Sequence, residues 1–106
     1  MTYTVAILYP NEADIKFDED YYLKTHMPLV ERTWKSDGLV SARITKFSND
    51  LEGKRPQYLV MALLEWESEE HLKTATQAPG AATVFGDIPN FTNVKPITLA
   101  GVPREW

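Results

Sequence analysis

The sequence contains no cysteine, and this absence excludes a disulfide framework, a cysteine-ligated zinc ion and a thiol nucleophile. Basic charge is also scarce: 11 Lys and Arg stand against 15 Asp and Glu, so the net charge is −4 and no basic stripe can follow a phosphate backbone. Long apolar runs are missing too, because residues 58–64, the longest, are far too few to cross a bilayer. These absences predict a protein with no nucleic-acid partner and no membrane span.

No charged-then-apolar leader precedes the first strand pattern, so we expect no signal peptide and a cytoplasmic location, which the lack of cysteine also fits. The remaining composition, 43% hydrophobic and 25% charged, is that of an ordinary globular domain. A chain of 106 residues is long enough to bury about 60–70% of its unfolded surface. Because there are no repeats and no low-complexity linker, residues 1–106 are predicted to form a single domain.

The strongest helix-start signal in the chain lies at Asp18. Its carboxylate can accept from backbone N–H groups of the first turn, and its charge suits the positive end of the helix dipole. Phe17 and Tyr22 have the spacing of a hydrophobic staple around this N-cap. We therefore expect a helix over residues 18–36, ended by a left-handed stop at Gly38.

His26 lies on the apolar stripe of this helix, because Tyr22, His26 and Val30 recur at four-residue spacing. Pro28 has no N–H to donate to the carbonyl of Lys24, and its ring crowds that turn. We therefore expect the helix to kink just past the histidine. A histidine on the buried side of a helix, next to a kink, is the most informative feature of the sequence.

The remaining elements follow from alternating and helical patterns along the chain. Strands are predicted at residues 3–9, 39–47, 57–67 and 94–102, a second helix at 69–77, and a helical turn at 81–85. The loop at residues 86–93 contains Ile88 and Phe91, two large apolar residues that should fold down onto the domain. The order β-α-β-β-α-β predicts an α+β, ferredoxin-like two-layer sandwich with an antiparallel sheet.

The third predicted strand is apolar on both faces, whereas the helices of this fold cover only one face of the sheet. Its two faces carry Val60, Ala62 and Leu64, and Leu59, Met61 and Leu63. A monomer would expose an apolar patch larger than the few hundred Å² that soluble monomers usually tolerate. We therefore expect a homodimer that pairs through the uncovered sheet face.

Two segments resemble the EthD family, named for ethyl tert-butyl ether degradation. The first is Phe17-Asp18-x-x-Tyr21-Tyr22-x-x-x-His26-x-Pro28-Leu29-Val30, which resembles the signature of the family. The second is Asp87-Ile88-Pro89-Asn90-Phe91-Thr92, which is similar to the family's C-terminal loop. Together with the strand order, the resemblance covers nearly the whole chain and implies one EthD-like domain over residues 1–106. It also implies the dimeric α/β barrel, in which two ferredoxin-like units join through their sheets.

The chemistry that this resemblance implies is broad. The founding member of the family belongs to an ether-degradation gene cluster without an assigned reaction, and fungal relatives resemble dehydratases or tailoring enzymes of aromatic polyketides. The same fold hosts lactone isomerases, polyketide cyclases, cofactor-independent monooxygenases and haem proteins. Fold alone therefore does not select an activity, and the residues have to be weighed individually.

His26 and Tyr22 are the first candidate catalytic residues. His26 is the only side chain on the predicted inner face that titrates near neutrality, so it is a candidate general acid or base. Its alternative role is structural, as a core histidine that donates to a carbonyl freed near Pro28. Tyr22, one turn earlier, can orient the imidazole or a substrate oxygen, or serve only as the hydrophobic staple. Tyr21 is expected at the rim or in solvent.

Asp87 is the third candidate catalytic residue, and four aromatic residues are candidates for substrate binding. Asp87 can pair with His26 if the late loop closes over the cleft, or it can act as a turn or capping residue. The aromatic residues can line a pocket for an aromatic compound or belong to the plain core. They are Trp34, Trp66, Phe85 and Phe91.

The sequence predicts no metal site, no phosphate loop and no catalytic triad. His71, flanked by Glu67 and Glu70, fits a solvated charged helix face, and neither histidine has ligands at metal-binding spacing. The five glycines are scattered, and no nucleophile can be assigned to His26.

Three functions remain open. The first is a cofactor-independent enzyme that dehydrates, isomerises, cyclises or oxygenates a small hydrophobic or aromatic, polyketide-like carbonyl compound, with His26 as acid or base. The second is a haem-binding member of the fold with His26 as axial ligand. The third is a non-catalytic accessory or ligand-binding protein of a catabolic pathway. We adopt the first, with a small hydrophobic ligand and no cofactor.

Overall fold

One four-stranded antiparallel sheet, covered by helices on one face, forms the framework of the computed structural model, which describes residues 2–106. The strands are β1 (Tyr3–Pro10), β2 (Leu39–Lys46), β3 (Tyr58–Trp66) and β4 (Ile97–Gly101). They lie in the order β2-β3-β1-β4, and all pairings are antiparallel. The predicted α+β ferredoxin-like sandwich is confirmed.

The helical layer contains two helical segments, one after β1 and one after β3. The first runs without a break through α1 (Glu19–Tyr21), a π-helical turn (Tyr22–His26), α2 (Met27–Trp34) and a 3-10 turn (Lys35–Asp37). The second comprises α3 (Glu69–Gln77), α4 (Pro79–Gly86) and a short 3-10 turn (Ile88–Asn90). The helical turn predicted at residues 81–85 is therefore a complete helix, α4.

The start of the first helix follows the sequence prediction closely. The carboxylate of Asp18 accepts a hydrogen bond from the Tyr21 backbone N–H at 3.1 Å. The rings of Phe17 and Tyr22 meet edge to face, with centroids 5.1 Å apart, as a hydrophobic staple requires. At the other end, Gly38 adopts a φ of 109°, which L side chains rarely tolerate.

Pro28 is accommodated differently from the predicted kink. The irregularity lies before the proline, in the π-helical turn, where the Met27 N–H donates to the carbonyl of Tyr22, five residues back. This wider turn gives the proline ring room that an ordinary turn would deny it. The helix then continues to Trp34, so Pro28 occupies the first turn of α2.

The core lies between the sheet and the helices, and β3 supplies its centre. Every second residue of β3 is buried against the helices: Val60, Ala62, Leu64 and Trp66. Strand β4 is shorter than the predicted 94–102, because it begins after Pro96, which has no N–H for a ladder hydrogen bond. Within residues 2–106, no helix has both the length and the apolar character needed to cross a bilayer.

The face of the sheet opposite the helices is uncovered, and it carries apolar side chains on β3, β1 and β4. Ile97 and Leu99 of β4 are 43% and 61% exposed, and Leu63 of β3 faces the same side, opposite Ala6. On β3, the residues that face this side are only partly buried: Leu59, Met61 and Leu63.

Candidate functional site

The late loop is fastened to the segment that precedes the first helix. The Asp18 N–H donates to the carbonyl of Phe91 at 2.8 Å, and the Thr92 hydroxyl donates to the carbonyl of Lys16 at 2.7 Å. A bridge between Phe17 and Thr92 completes this contact. As predicted, the loop folds down, and this brings Asp87 and Phe91 to the first helix.

Phe91 is the centre of an aromatic cluster beside His26. Its side chain is 3% exposed. Its ring centroid lies 5.0 Å from that of Tyr22, 4.6 Å from that of His26 and 5.4 Å from that of Phe17. Edge and tilted contacts of this kind fix ring positions in addition to burying area. Phe91 therefore holds the imidazole in place from the side of the late loop.

His26 is buried and bonded to a carboxylate. The residue is 4% exposed, and its Nδ1 lies 2.9 Å from Oδ2 of Asp87. The ring of Tyr22 stacks on the imidazole, with centroids 5.7 Å apart and an interplanar angle of 16°. No group within residues 2–106 forms a hydrogen bond with Nε2. The pairing of Asp87 with His26, one of the two roles considered for Asp87, is therefore present.

Asp87 receives two further hydrogen bonds on its other oxygen. The Tyr21 hydroxyl donates to Oδ1 at 2.6 Å, and the Asn90 amide donates to the same atom at 2.9 Å. Burial alone would raise the pKa of the Asp87 carboxyl, but the bonds from Tyr21, Asn90 and His26 together hold it below its ordinary value. Asp87 is therefore a carboxylate at neutral pH and can only accept, so the hydrogen between it and His26 lies on Nδ1.

Three tyrosines around this site keep their phenolic protons. The hydrogen bond to Asp87 raises the pKa of Tyr21, and burial raises the pKa of Tyr9 and Tyr22. Tyr21 is a donor to the carboxylate and was not among the residues selected as catalytic. The hydroxyl of Tyr22 has no hydrogen-bonding partner within residues 2–106, so it does not orient the imidazole. The ring of Tyr22, not its hydroxyl, makes the contact with His26.

The lowered pKa of Asp87 predicts how stability depends on pH. A carboxyl with a lowered folded-state pKa contributes stability above its unfolded value, about 3.9, and loses that contribution as the pH falls through its folded-state pKa. Thermal unfolding midpoints of wild type and Asp87→Asn should therefore differ most near pH 6 and converge as the pH falls toward 2. A difference that stays constant or grows toward acid would contradict this assignment.

Two adjacent cavities lie between the helices and the β1–β4 side of the sheet. A cavity of about 30 Å³ is lined by His26 and Tyr22, and a larger groove of about 340 Å³ is lined by Trp66 and Tyr3. Five residues line both: Ile7, Trp34, Leu64, Phe85 and Thr98. A volume of about 30 Å³ holds about two water molecules, whereas a volume of about 340 Å³ is large enough for a small organic compound. His26 thus lines a small cavity that shares part of its wall with a larger apolar groove.

The four aromatic candidates for substrate binding occupy different positions. Trp34 and Trp66 are buried, with centroids 5.4 Å apart, and both line the groove. Phe85 is 46% exposed and lies where the two cavities meet. Phe91 lines neither cavity and belongs to the aromatic cluster instead.

Histidine chemistry outside this site is confined to the surface. His71 Nε2 lies 3.5 Å from the carboxylate of Glu67, both side chains are well exposed, and His71 Nδ1 contacts the Ser68 hydroxyl. This arrangement matches the solvated face expected from the sequence. In the part of the chain from residue 2 onward, no three His, Asp or Glu side chains are grouped so that they could hold a metal ion.

Solved structures show what the chain is similar to. An EthD-like protein from Ralstonia eutropha JMP134 is 25% identical, with a TM-score of 0.84 over 94% of this chain and 89% of that one. An EthD family protein from Bacillus halodurans C-125 is 17% identical, with a TM-score of 0.73 over 98% and 100% of the two chains. A hydroxynitrile lyase from Passiflora edulis, 6% identical, shares the fold with a TM-score of 0.69 over 99% and 94%.

Searches of protein-family models and of curated proteins find no match. The similarity therefore rests on the solved structures together with two segments of the chain. The Tyr-Tyr-His-Pro segment starts the first helix and supplies the buried histidine, and the Asp87–Thr92 segment supplies its carboxylate. In fold and in these two segments, the chain is similar to solved proteins described as EthD-like or as EthD family members.

Proposed function

We propose that this protein is an enzyme in which His26 transfers protons to and from a small, largely apolar carbonyl compound. The observation that carries the proposal is the environment of the imidazole: Nδ1 is bonded to the Asp87 carboxylate, and the ring lines a small cavity next to an apolar groove. Acid–base chemistry requires a group that titrates near neutrality and is placed where a substrate can reach it.

The pair with Asp87 gives each ring nitrogen a separate role. Because Nδ1 carries the hydrogen, Nε2 of the neutral ring has a free lone pair, which makes it the basic atom. When Nε2 takes up a proton, the resulting imidazolium is stabilised by the carboxylate 2.9 Å away. Asp87 thus orients the ring, while Tyr21 and Asn90 orient Asp87.

The proposed first step is removal of a proton from the carbon next to a carbonyl group. The proton moves to Nε2, and the electron pair of the C–H bond forms an enolate. Return of the proton from Nε2 to another carbon gives an isomer. Transfer of the same proton to a β-hydroxyl, as the C–O bond breaks and the C=C bond forms, releases water and gives dehydration. Cyclisation and oxygenation of an activated enol share the same first step. The step uses only residues of this chain and no cofactor.

Hydrogen exchange tests this step without knowledge of the final product. In D₂O, the protein should accelerate exchange of the α-protons of a panel of aryl alkyl ketones, beginning with 1-phenylbutan-1-one, followed by NMR. His26→Ala should lower the enzyme-dependent rate about 10²–10⁴-fold, the usual contribution of a general base. His71→Ala, which removes the exposed histidine, is the matched control and should leave the rate unchanged.

Two results would reject the proposal. The first is equal exchange with wild type and His26→Ala. The second is binding without chemistry: the ketones raise the thermal midpoint of the protein, but their α-protons exchange no faster than in buffer. The second result would support the alternative of a non-catalytic ligand-binding protein. The apolar groove is compatible with that alternative, because a groove of this size can bind a small aromatic compound without any reaction.

Haem bound through His26 is the less favoured alternative for this site. The hydrogen bond from Nδ1 to a carboxylate resembles that of many metal-ligating histidines. However, the space next to the ring is about 30 Å³, whereas pockets for organic ligands of drug size are about 300–1,000 Å³. No step of the proposed reaction uses haem.

The uncovered sheet face supports a homodimer that joins two copies of this chain. Leu63 lies near the middle of that face, between Ala6 of β1 and Arg43 of β2 in register, and Ile97 and Leu99 extend the apolar area to the edge. A sheet packed face to face on its own copy would bury this area in the way that β-sandwiches do.

Leu63→Glu should weaken the dimer, because it places a charged carboxylate in the apolar part of the sheet interface, where even pairing with Arg43 does not offset all of the cost of desolvation. Analytical ultracentrifugation at micromolar concentration measures the change. Leu23→Glu is the matched control, since Leu23 is 51% exposed on the first helical segment, away from the sheet face. A wild-type protein that sediments as a monomer, or a dimer that Leu63→Glu does not weaken, would contradict the sheet-to-sheet arrangement.

A further inference from the structure

Three hydroxyl groups on the walls of the two cavities are not available to a ligand. The Thr76 hydroxyl donates to the backbone carbonyl of Leu72 at 3.0 Å, and the Tyr3 hydroxyl donates to the Glu69 carboxylate at 3.3 Å. The Tyr22 hydroxyl is completely enclosed by protein atoms. A carbonyl compound in these cavities therefore needs a hydrogen-bond donor from elsewhere on their walls.

Thr98 of β4 carries a hydroxyl that is accessible and not bonded to the protein. The residue is exposed and lines both the small cavity and the groove. It lies directly opposite Ile7 in the pairing of β1 with β4, and opposite residues of an antiparallel pair project to the same face of the sheet. Ile7 packs against the core, so the Thr98 side chain also projects to the helix side, where the cavities lie. Whereas the hydroxyls of Thr76 and Thr92 donate to carbonyl groups, that of Thr98 forms no hydrogen bond within residues 2–106.

Thr98 and His26 line the same small cavity. Its volume is about 30 Å³, the space of about two water molecules, so a carbonyl group that enters it lies near both side chains. Thr98 also borders the groove of about 340 Å³, where the apolar part of the compound fits. Lys73, a cation on the groove wall, pairs with Glu69 at 3.8 Å and does not line the small cavity. Thr98 is therefore the donor best placed to serve a carbonyl oxygen beside His26.

We propose that the Thr98 hydroxyl donates a hydrogen bond to the carbonyl oxygen of the ligand and to the enolate oxygen that forms from it. The second part rests on the proposed function, in which the α-proton moves to Nε2 of His26. As the electron pair of the C–H bond becomes the C=C bond, the π pair of the carbonyl moves to its oxygen. Thr98 stabilises the charge on that oxygen and keeps its own proton. Because the charge grows during the step, this hydrogen bond is stronger in the transition state than in the bound ketone.

A ketone labelled with ¹³C at its carbonyl carbon tests the hydrogen bond without any reaction. The probe is 1-phenylbutan-1-one, and its control is 1-phenylbutane, which has the same carbon skeleton and no oxygen. With wild type, the carbonyl resonance of the bound ketone should lie downfield of its position with Thr98→Val, which keeps the shape of the side chain but removes the hydroxyl. The ratio of the ketone to the hydrocarbon dissociation constant should rise about 3–10-fold in Thr98→Val, the effect of one hydrogen bond.

The exchange rate tests the role of Thr98 in the reaction. At saturating ketone in D₂O, Thr98→Val should lower the rate of α-proton exchange about 10–10²-fold, because it removes a hydrogen bond to a developing charge. Thr98→Ser keeps a hydroxyl and should retain most of the rate. Thr45→Val is the matched control, since Thr45 pairs with Met61 on the uncovered face and lines neither cavity. The thermal midpoint of unliganded Thr98→Val should equal that of wild type, because the hydroxyl has no partner to lose.

The inference is overturned if Thr98→Val leaves the carbonyl resonance and the ratio of dissociation constants unchanged. It is also overturned if Thr98→Val leaves the exchange rate unchanged while His26→Ala lowers it. In both cases, exchange that depends on His26 keeps the proposed reaction intact. A carbonyl resonance that depends on Thr98, without any exchange, would remove the proposed reaction and keep the hydrogen bond to the ligand. Failure of the ketone to bind wild type would overturn both.

Discussion

Asp87→Asn should lower the rate of α-proton exchange on a bound ketone about 10²–10⁴-fold, while the protein remains folded. Asparagine has nearly the same shape as aspartate but no charge, so it cannot stabilise the imidazolium that forms when Nε2 takes up a proton. It can also donate to Nδ1, which would place the hydrogen of the neutral ring on Nε2 and remove the basic lone pair. The measurement is the exchange rate at saturating ketone, by NMR in D₂O.

The chain contains a natural control for this substitution. Glu67 and His71 form a second pair of histidine and carboxylate, with 3.5 Å between the charged atoms, but on the surface. Exposed ion pairs of this kind contribute little to stability. Neither Glu67 nor His71 lines a cavity of the candidate site. Glu67→Gln should therefore leave exchange unchanged. If Glu67→Gln and Asp87→Asn had the same effect, or if Asp87→Asn retained wild-type exchange, the pairing would have no part in the chemistry.

Much of the fold could be predicted because local signals agree with the final packing. Asp18 caps the helix and Phe17 meets Tyr22, as their spacing indicates, because these contacts involve residues close together in the chain. The alternation in β3 likewise identifies both the buried face and the uncovered one. Such patterns need no knowledge of distant residues, so they survive in the complete structure.

The sequence predicts Tyr21 at the rim or in solvent, as expected for an ordinary α-helix. With 3.6 residues per turn, side chains five residues apart point about 140° away from each other. The π-helical turn changes this, since its hydrogen bond spans five residues and brings Tyr21 and His26 close to the same direction. Both side chains then reach Asp87. Pro28, next to the turn, is the signal that could have suggested it.

The sequence alone could not decide whether Asp87 pairs with His26 or acts as a turn or capping residue. Asp87 is 61 positions from His26 in the chain, and no local pattern connects them. What decides the contact is the way the late loop is fastened by hydrogen bonds to residues 16–18. In the structure Asp87 also serves its turn, because the Asn90 N–H and side chain both bond to it. The two roles considered for Asp87 therefore occur together.

Phe91→Ala should lower the free energy of unfolding by about 3–5 kcal/mol, the largest effect on stability expected for a single residue of the late loop. Phe91 is 3% exposed and touches the rings of Tyr9, Phe17, Tyr22 and His26, so truncation leaves a cavity that these rigid rings cannot close. Urea denaturation at one protein concentration measures the loss, because the stability of a dimer depends on concentration.

Phe85→Ala is the matched control for this loss. The two phenylalanines are six residues apart, but Phe85 is 46% exposed and packs on Trp34 alone among the aromatic rings. Truncation of Phe85 should lower the free energy of unfolding by about 1 kcal/mol, because this side chain buries less apolar area than Phe91. Equal losses for the two variants would mean that Phe91 is not the residue that anchors the loop.

The same variant also tests whether packing and chemistry are coupled. Phe91 supplies the carbonyl that accepts from the Asp18 N–H, and its ring lies 4.6 Å from that of His26, so it links the late loop to the helix from both backbone and side chain. Phe91→Ala should therefore reduce the exchange rate even without urea, at a temperature where the variant is fully folded. The reason is that Asp87 is no longer held against Nδ1 of His26. Phe91→Leu, which keeps much of the buried apolar volume, should fall between wild type and Phe91→Ala in both measurements. If stability falls while exchange stays at the wild-type rate, the hydrogen bonds of Asp87 to Tyr21 and Asn90 are by themselves sufficient to position the carboxylate.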